Sequence, residues 1–172
     1  MIGAGLHAKT TLLPVLKKMS NVGLRGIASA TGLTAQHMGK RLGFEYCTSD
    51  YHELLDDSDI ECIIITTRHD LHARMVVEAL ESGKHVFVEK PLALNLQELQ
   101  QIEESYSRNS SELMVGLNRR FSPFTVWAKD YLSQLSGTMI INCRVNAGQV
   151  KQGSWVNDPA EGGGRIIGEV CH

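Results

Sequence analysis

Between Gly3 and Gly116 short apolar runs alternate with stretches of helical periodicity. Strands and helices in regular alternation bury their apolar surface best as a parallel sheet with helices on its faces. The expected fold class is therefore α/β, a Rossmann-type doubly wound parallel sheet. The runs are Leu24–Ser29, a shorter one near Glu45–Cys47, Ile60–Thr66, His85–Val88 and Glu112–Gly116. Ile63-Ile64-Ile65 is continuously hydrophobic, as expected of a strand covered on both faces.

The helical stretches carry their own punctuation. Asp70 is placed to cap a helix whose apolar residues Ala73, Val76, Val77 and Leu80 share one face, with Gly83 just past its end. Asn95 is placed to cap the next, with Glu98 three residues on as in a capping box and Leu96, Leu99 and Ile102 as its stripe. The first helix should bury Ala8, Leu12, Val15, Leu16 and Met19. Pro14 inside that pattern predicts a kink or a late helix start, because an interior proline costs about 3 kcal/mol.

A helical stretch follows Phe121-Ser122-Pro123, and Thr138–Asn146 has the β-branched, alternating character of a strand in a different sheet. A domain boundary is placed near Asn118: residues 1–118 as a dinucleotide-binding domain, 119–172 as the start of a truncated substrate domain. A net charge of -2 disfavours nucleic acid or an anionic membrane surface as partner, since both call for a basic excess. No apolar run approaches the roughly 20 residues of a membrane span. The cysteines, Cys47, Cys62, Cys143 and Cys171, have no paired spacing for zinc or redox chemistry, and free, mostly buried thiols in the cytoplasm are expected.

Three constellations carry chemistry. Gly3-Ala4-Gly5-Leu6-His7-Ala8 is a G-x-G-x-x-A pattern at the start of a helix. There Gly3 permits a tight turn, Gly5 lets backbone approach a pyrophosphate, and Ala8 allows close helix–strand packing. A plain glycine turn is the competing explanation. Only Met1 and Ile2 precede Gly3, so the first strand reads as clipped, and cofactor binding by this piece alone is an open question. At the end of the second strand Ser29 and Thr31 stand where NAD enzymes place a carboxylate against the ribose 2′-hydroxyl. No acid repels the extra phosphate of NADP and no arginine follows to attract it, so NAD or NADP stays open with a lean to NADP; both hydroxyls could equally cap a turn. Third, Gly83-Lys84-His85-Val86-Phe87-Val88-Glu89-Lys90-Pro91 puts a charged pair, Glu89 and Lys90, at the carboxyl edge of the sheet where α/β proteins bind ligands. Lys90 in such a place can take part in proton transfer, against the alternative of a surface lysine.

Together with Thr66-Thr67-Arg68-His69-Asp70-Leu71-His72, Val115–Pro123 and Gly162-Gly163-Gly164-Arg165 through His172, these segments resemble the Gfo/Idh/MocA oxidoreductases over essentially the whole chain. The resemblance implies an N-terminal Rossmann domain followed by an α/β domain whose large sheet walls the substrate site and often forms the oligomer interface. Asn146-Ala147-Gly148, Trp155–Pro159 and Glu161–Gly164 resemble the dehydrogenase half of larger bacterial two-part chains. By position, Lys90 matches the family's lysine near the reacting carbon and Pro91 its often cis proline. His172 matches the histidine that acts as acid or base toward the substrate oxygen. The family's aspartate four residues before that histidine is replaced by Gly168, with Glu169 adjacent. Gly3, Gly5, Leu6, His7, Ala8, Ser29, Thr31, Thr66, Thr67, His72, Glu89, Lys90 and Arg119 are the cofactor-binding candidates.

Several of these keep alternatives. His72 could cap its helix, Arg119 and Arg120 are expected to divide between cleft and solvent, and Trp155 could cover a ligand or fill a core. His69-x-x-His72 has ligand spacing but no visible third ligand, so no metal is expected. The implied activity is hydride transfer between a nicotinamide cofactor and a sugar- or polyol-type secondary alcohol, and the resemblance implies a homo-oligomer for the full-length protein. The rival functions are a non-catalytic nucleotide-binding module or inactive gene fragment, and an NAD-dependent glycoside hydrolase of the same family.

Overall fold

The computed structural model describes residues 1–146 and 148–170. Among the described residues five short strands run parallel. β1 (Gly26–Ala28) pairs with β2 (Tyr46–Thr48), while β3 (Cys62–Ile65), β4 (His85–Glu89) and β5 (Leu113–Gly116) form a second set in that order. Ile2 joins the sets, forming parallel bridges to Ala28 and to Ile65. Its N–H donates to Ile64 (2.8 Å), its carbonyl accepts from Thr66 (2.8 Å), and the neighbouring Gly3 N–H donates to Ala28 (2.9 Å). The order across the sheet is thus β2, β1, Ile2, β3, β4, β5, the doubly wound arrangement. Its crevice opens beyond the carboxyl end of the central strand, where Gly3 lies.

The connections between strands are helical. A π-helical turn at Ala8–Leu12 runs into α1 (Leu13–Leu16); then come α2 (Leu33–Leu42), α3 (His52–Asp56), α4 (His72–Glu81), α5 (Leu96–Arg108) and α6 (Pro123–Leu132). Alternation of side chains along the strands gives the sheet two apolar faces. One core gathers Ile2, Ala28, Ile63, Ile65, Val86 and Val88 against Val76 and Leu80 of α4 and Ile102 of α5. The other gathers Met1, Ile27 and half-buried Ile64 against Ala8, Leu13, Ala35 and Met38. Each aliphatic side chain fully removed from water here stabilises the fold by about 1.5–3 kcal/mol.

Local punctuation is largely where the sequence puts it. Asn95 accepts from the Glu98 N–H (2.9 Å), and Glu98 reaches back to accept from the Leu94 N–H (2.8 Å). Gly83 takes φ 73° just past α4, with the Lys84 N–H closing onto Ala79 (3.0 Å). Ser122 accepts from the Thr125 N–H to cap α6.

Five expectations are corrected. Val15 and Met19 are exposed, and the first helical segment buries Ala8 and Leu13 instead. These two are five residues apart, the spacing of the π turn that widens the helix ahead of Pro14. Asp70 does not cap α4: a 3-10 turn at His69–Leu71 intervenes, and Leu71 occupies the cap position without a side-chain bond. In α5 only Ile102 of the predicted stripe is buried, while Leu96 and Leu99 are exposed. Thr138–Asn146 forms no strand among the described residues, and Ile140 and Ile141 are exposed; a strand needs a neighbour for its backbone, and none flanks it. Cys47, Cys62 and Cys143 are free but exposed rather than buried, the first at the exposed middle of β2 and the second at the start of β3 ahead of buried Ile63.

Candidate active site

The glycine-rich turn emerges from the sheet centre. Gly3 has φ 97°, and a Cβ there would come within 2.8 Å of Thr66 backbone and Oγ1 atoms. The Thr66 hydroxyl donates to the Gly3 carbonyl (3.0 Å), tying the turn to the end of β3. Only glycine combines this backbone angle with this approach. A Cβ on Gly5, by contrast, would meet no atom of the chain within 4 Å, so that face of the turn is open. Ala8 is wholly buried in the second core, while Leu6 and His7 are exposed. These are the features that a backbone cradle for a pyrophosphate needs: a fixed turn, an open glycine, and close packing behind it.

The carboxyl end of β4 meets this turn. The ring Nε2 of His7 lies 3.0 Å from Oε1 of Glu89. Behind Glu89, β5 ends in Gly116, where a Cβ would stand only 3.1 Å from the carboxylate. Lys90 follows, joined to Pro91 by a cis peptide bond. Its ammonium donates to the Gly168 carbonyl, at the position where the resemblance led to an aspartate. The glycine turn and Lys90 thus both stand at the carboxyl rim of the sheet.

His72 is displaced from its expected place. Its ring is completely buried, so it has no surface for direct contact with a cofactor. Its Nδ1 lies 2.7 Å from the Pro91 carbonyl and its Nε2 3.3 Å from the Thr67 carbonyl. Thr67 is half-buried above it, with its hydroxyl donating to the Arg68 carbonyl (3.3 Å). His69 is also buried; its Nδ1 lies 2.8 Å from the Gly162 carbonyl and its ring packs edge-on against Trp155 at 4.8 Å. Burial pulls both histidines below the usual pKa, so both are neutral at physiological pH. Sequence reasoning gave His69 no role beyond a metal spacing. A signal was present in Gly162, where a side chain would strike Trp155 and Val156 backbone.

The remaining candidates are spread more widely. Ser29 accepts from the Ala35 N–H (3.0 Å), and the Thr31 hydroxyl lies 3.3 Å from that of Thr34, so both contact the start of α2. Arg119 and Arg120 are exposed on a 3-10 turn after β5, Arg120 over the Phe121 ring at 5.4 Å. Trp155 is half-buried beneath Arg68, whose guanidinium sits 5.7 Å from the ring centroid and pairs with Glu161. Glu169 lies toward Arg165 at 4.0 Å. His172 lies outside the described residues.

Residues 1–117 match the model of the Gfo/Idh/MocA oxidoreductase family, with its NAD-binding Rossmann fold. Levoglucosan dehydrogenase of Pseudarthrobacter phenanthrenivorans is 36% identical over 108 residues, 63% of this chain and 28% of that protein. The scyllo-inositol 2-dehydrogenase (NAD(+)) of Bacillus subtilis is 38% identical over 95 residues, 55% of this chain and 28% of that protein. Among solved structures, levoglucosan dehydrogenase in complex with NADH and levoglucosan superposes with a TM-score of 0.68 at 31% identity, covering 77% of this chain and 38% of that one. A 3-ketoreductase from Actinomadura kijaniata, solved with NADP and TDP-benzene, shares the fold with a TM-score of 0.80 at 22% identity, covering 97% of this chain and 52% of that one. The chain spans 28% to 36% of the length of the first curated relatives. It belongs to the Gfo/Idh/MocA family of oxidoreductases with an NAD-binding Rossmann fold.

Proposed function

We propose that the chain is the nucleotide-binding part of an NAD(P)-dependent dehydrogenase acting on a secondary alcohol of a sugar or polyol. The observation that carries this is the meeting of the glycine turn with the end of β4, joined by His7 and Glu89 at 3.0 Å. It sets the place where backbone N–H groups would hold a pyrophosphate beside the lysine suited to the reacting oxygen. The fit rests on Gly3, where a Cβ would collide with Thr66, and on Gly5, whose face is open.

The nicotinamide supplies the acceptor for the hydride that leaves the alcohol carbon. The chain's own groups handle the oxygen. As the C–H electron pair departs, the hydroxyl proton passes to a base and the C–O bond becomes a carbonyl. Lys90 donates a hydrogen bond to the oxygen as negative charge builds there, and His172 is the candidate base. Leu6, His7 and Ala8 belong to the turn and helix start that would hold the phosphates, and Ser29 and Thr31 to the ribose end. Thr66 and Thr67 border the nicotinamide end, and Arg119 the outer cleft. The division at residue 118, a cytoplasmic location and assembly as a homo-oligomer through the substrate domain belong to the same proposal.

Titration of the chain with NADH and NADPH, followed by nicotinamide fluorescence, tests the first half. Reduction of NAD or NADP followed by absorbance, with inositols and anhydrosugars as substrates, tests the second. Failure to bind either reduced nucleotide overturns the proposal.

A further inference from the structure

In the fold the two rings of His69-x-x-His72 each meet a main-chain carbonyl. Both rings stand on one short turn, the 3-10 turn His69–Leu71 with the first residue of α4. Their centroids are 5.8 Å apart, and each Nδ1 faces a main-chain carbonyl. The carbonyls belong to different walls of the crevice. Pro91, held by His72 at 2.7 Å, is the residue after Lys90. Gly162, held by His69 at 2.8 Å, opens the glycine-rich segment that runs to Gly168. Lys90 then closes the circuit, because its ammonium donates to the Gly168 carbonyl.

We propose that His69 and His72 are a pair of positioning residues that register the Lys90 turn against the 162–168 segment, one ring to each wall. A carbonyl oxygen only accepts, so each Nδ1 must carry the hydrogen. In His72 the bare Nε2 then faces the Thr67 carbonyl, another acceptor, and that separation is correspondingly longer at 3.3 Å. Glycine is required where His69 is received: a Cβ on Gly162 would lie 2.5 Å from the Trp155 carbonyl oxygen, whereas one at Gly168 would meet the His69 ring at 3.6 Å, an ordinary contact. Two rings on one turn therefore set the distance between two segments that lie about 70 residues apart in the chain. The consequence for catalysis rests on the dehydrogenase proposal, whereas the clamp itself is a statement about geometry.

The amide of asparagine can stand in for the Nδ1–H of histidine, and that of glutamine reaches the Nε2 position. Three measurements on the chain without nucleotide test the clamp. In the unsubstituted chain, 15N NMR of the imidazoles should show both histidines as the neutral Nδ1–H tautomer. In amide hydrogen exchange, His72→Asn should leave segment 89–94 protected, whereas His72→Gln should speed its exchange roughly tenfold, with the rest of the sheet unchanged. His69→Gln should do the same to segment 160–168, and His69→Asn should not.

An Nε2–H tautomer at either ring overturns the proposal, as do equal effects of asparagine and glutamine or a rise spread evenly over the domain. Should a variant fail to fold, the tautomers of the unsubstituted chain still decide. None of these readouts uses cofactor or substrate, so loss of the dehydrogenase proposal and loss of the clamp are separate results.

Discussion

His7 and Glu89, 82 residues apart in the chain, meet at 3.0 Å across the carboxyl rim of the sheet. The first belongs to the glycine-rich turn and the second closes β4, so the contact holds the two halves of the crevice in one place. Glu89 is confined from behind by Gly116, which leaves the carboxylate directed toward the turn.

The two glycines of that turn should separate on substitution. Gly3→Ala combines a φ of 97° with a Cβ 2.8 Å from Thr66 atoms, so it should destabilise the fold by about 1–3 kcal/mol and abolish nucleotide binding. Gly5→Ala meets nothing in the chain and should melt like the parent, yet bind NADH more weakly. Thermal melts read beside NADH titration check the pair.

Lys90→Ala should lower turnover by about 10²–10⁴-fold, the range of a group that assists proton transfer or charge build-up. Affinity for the reduced nucleotide should change little, because the pyrophosphate cradle lies at the glycine turn. Steady-state kinetics with a polyol substrate, together with nucleotide titration, make the comparison. Unchanged turnover removes Lys90 from the mechanism.

Cofactor choice follows from the end of β1. With Ser29 and Thr31 in place of a carboxylate, NADPH should bind at least as tightly as NADH. Ser29→Asp should then weaken NADPH selectively, through repulsion of the 2′-phosphate. Competition titration of the two nucleotides reads this directly.

Acid should loosen the fold through the buried histidines. Desolvation lowers the pKa of His69 and His72 below the ordinary 6.5, against the opposing pull of their carbonyl partners. His69 faces His72, Lys90 and Asp70, and His72 faces Glu89 and Asp70. Between the lowered folded values and 6.5 the unfolded chain binds more protons. Stability is therefore complete above pH 6.5 and declines as pH falls below it. Melting temperatures from about pH 7.5 to about pH 5 should show the decline, and it should flatten when both histidines are replaced by asparagine.

The capping box of α5 offers a control far from the crevice. Asn95→Ala removes the acceptor for the Glu98 N–H and should cost about 1 kcal/mol of stability. Nucleotide affinity should be untouched.

What the chain encodes locally was open to inspection. The apolar runs that became β1 to β5, the capping box at Asn95, the glycine after α4 and the glycine turn itself each depend on residues within a few positions of one another. Their physics is backbone geometry and side-chain period, which a linear string displays.

Tertiary structure decided the rest. Ile2 bridges two strand sets because Ala28 and Ile65 arrive on either side of it. His72 lies inside, not in the crevice, because the carbonyls of Pro91 and Thr67 converge on its ring. Thr138–Asn146 has strand character but no neighbour among the described residues, so it forms none. In each case the outcome depends on which backbone groups distant segments bring within hydrogen-bonding distance. That is a property of packing in three dimensions, and no local pattern of residue types contains it.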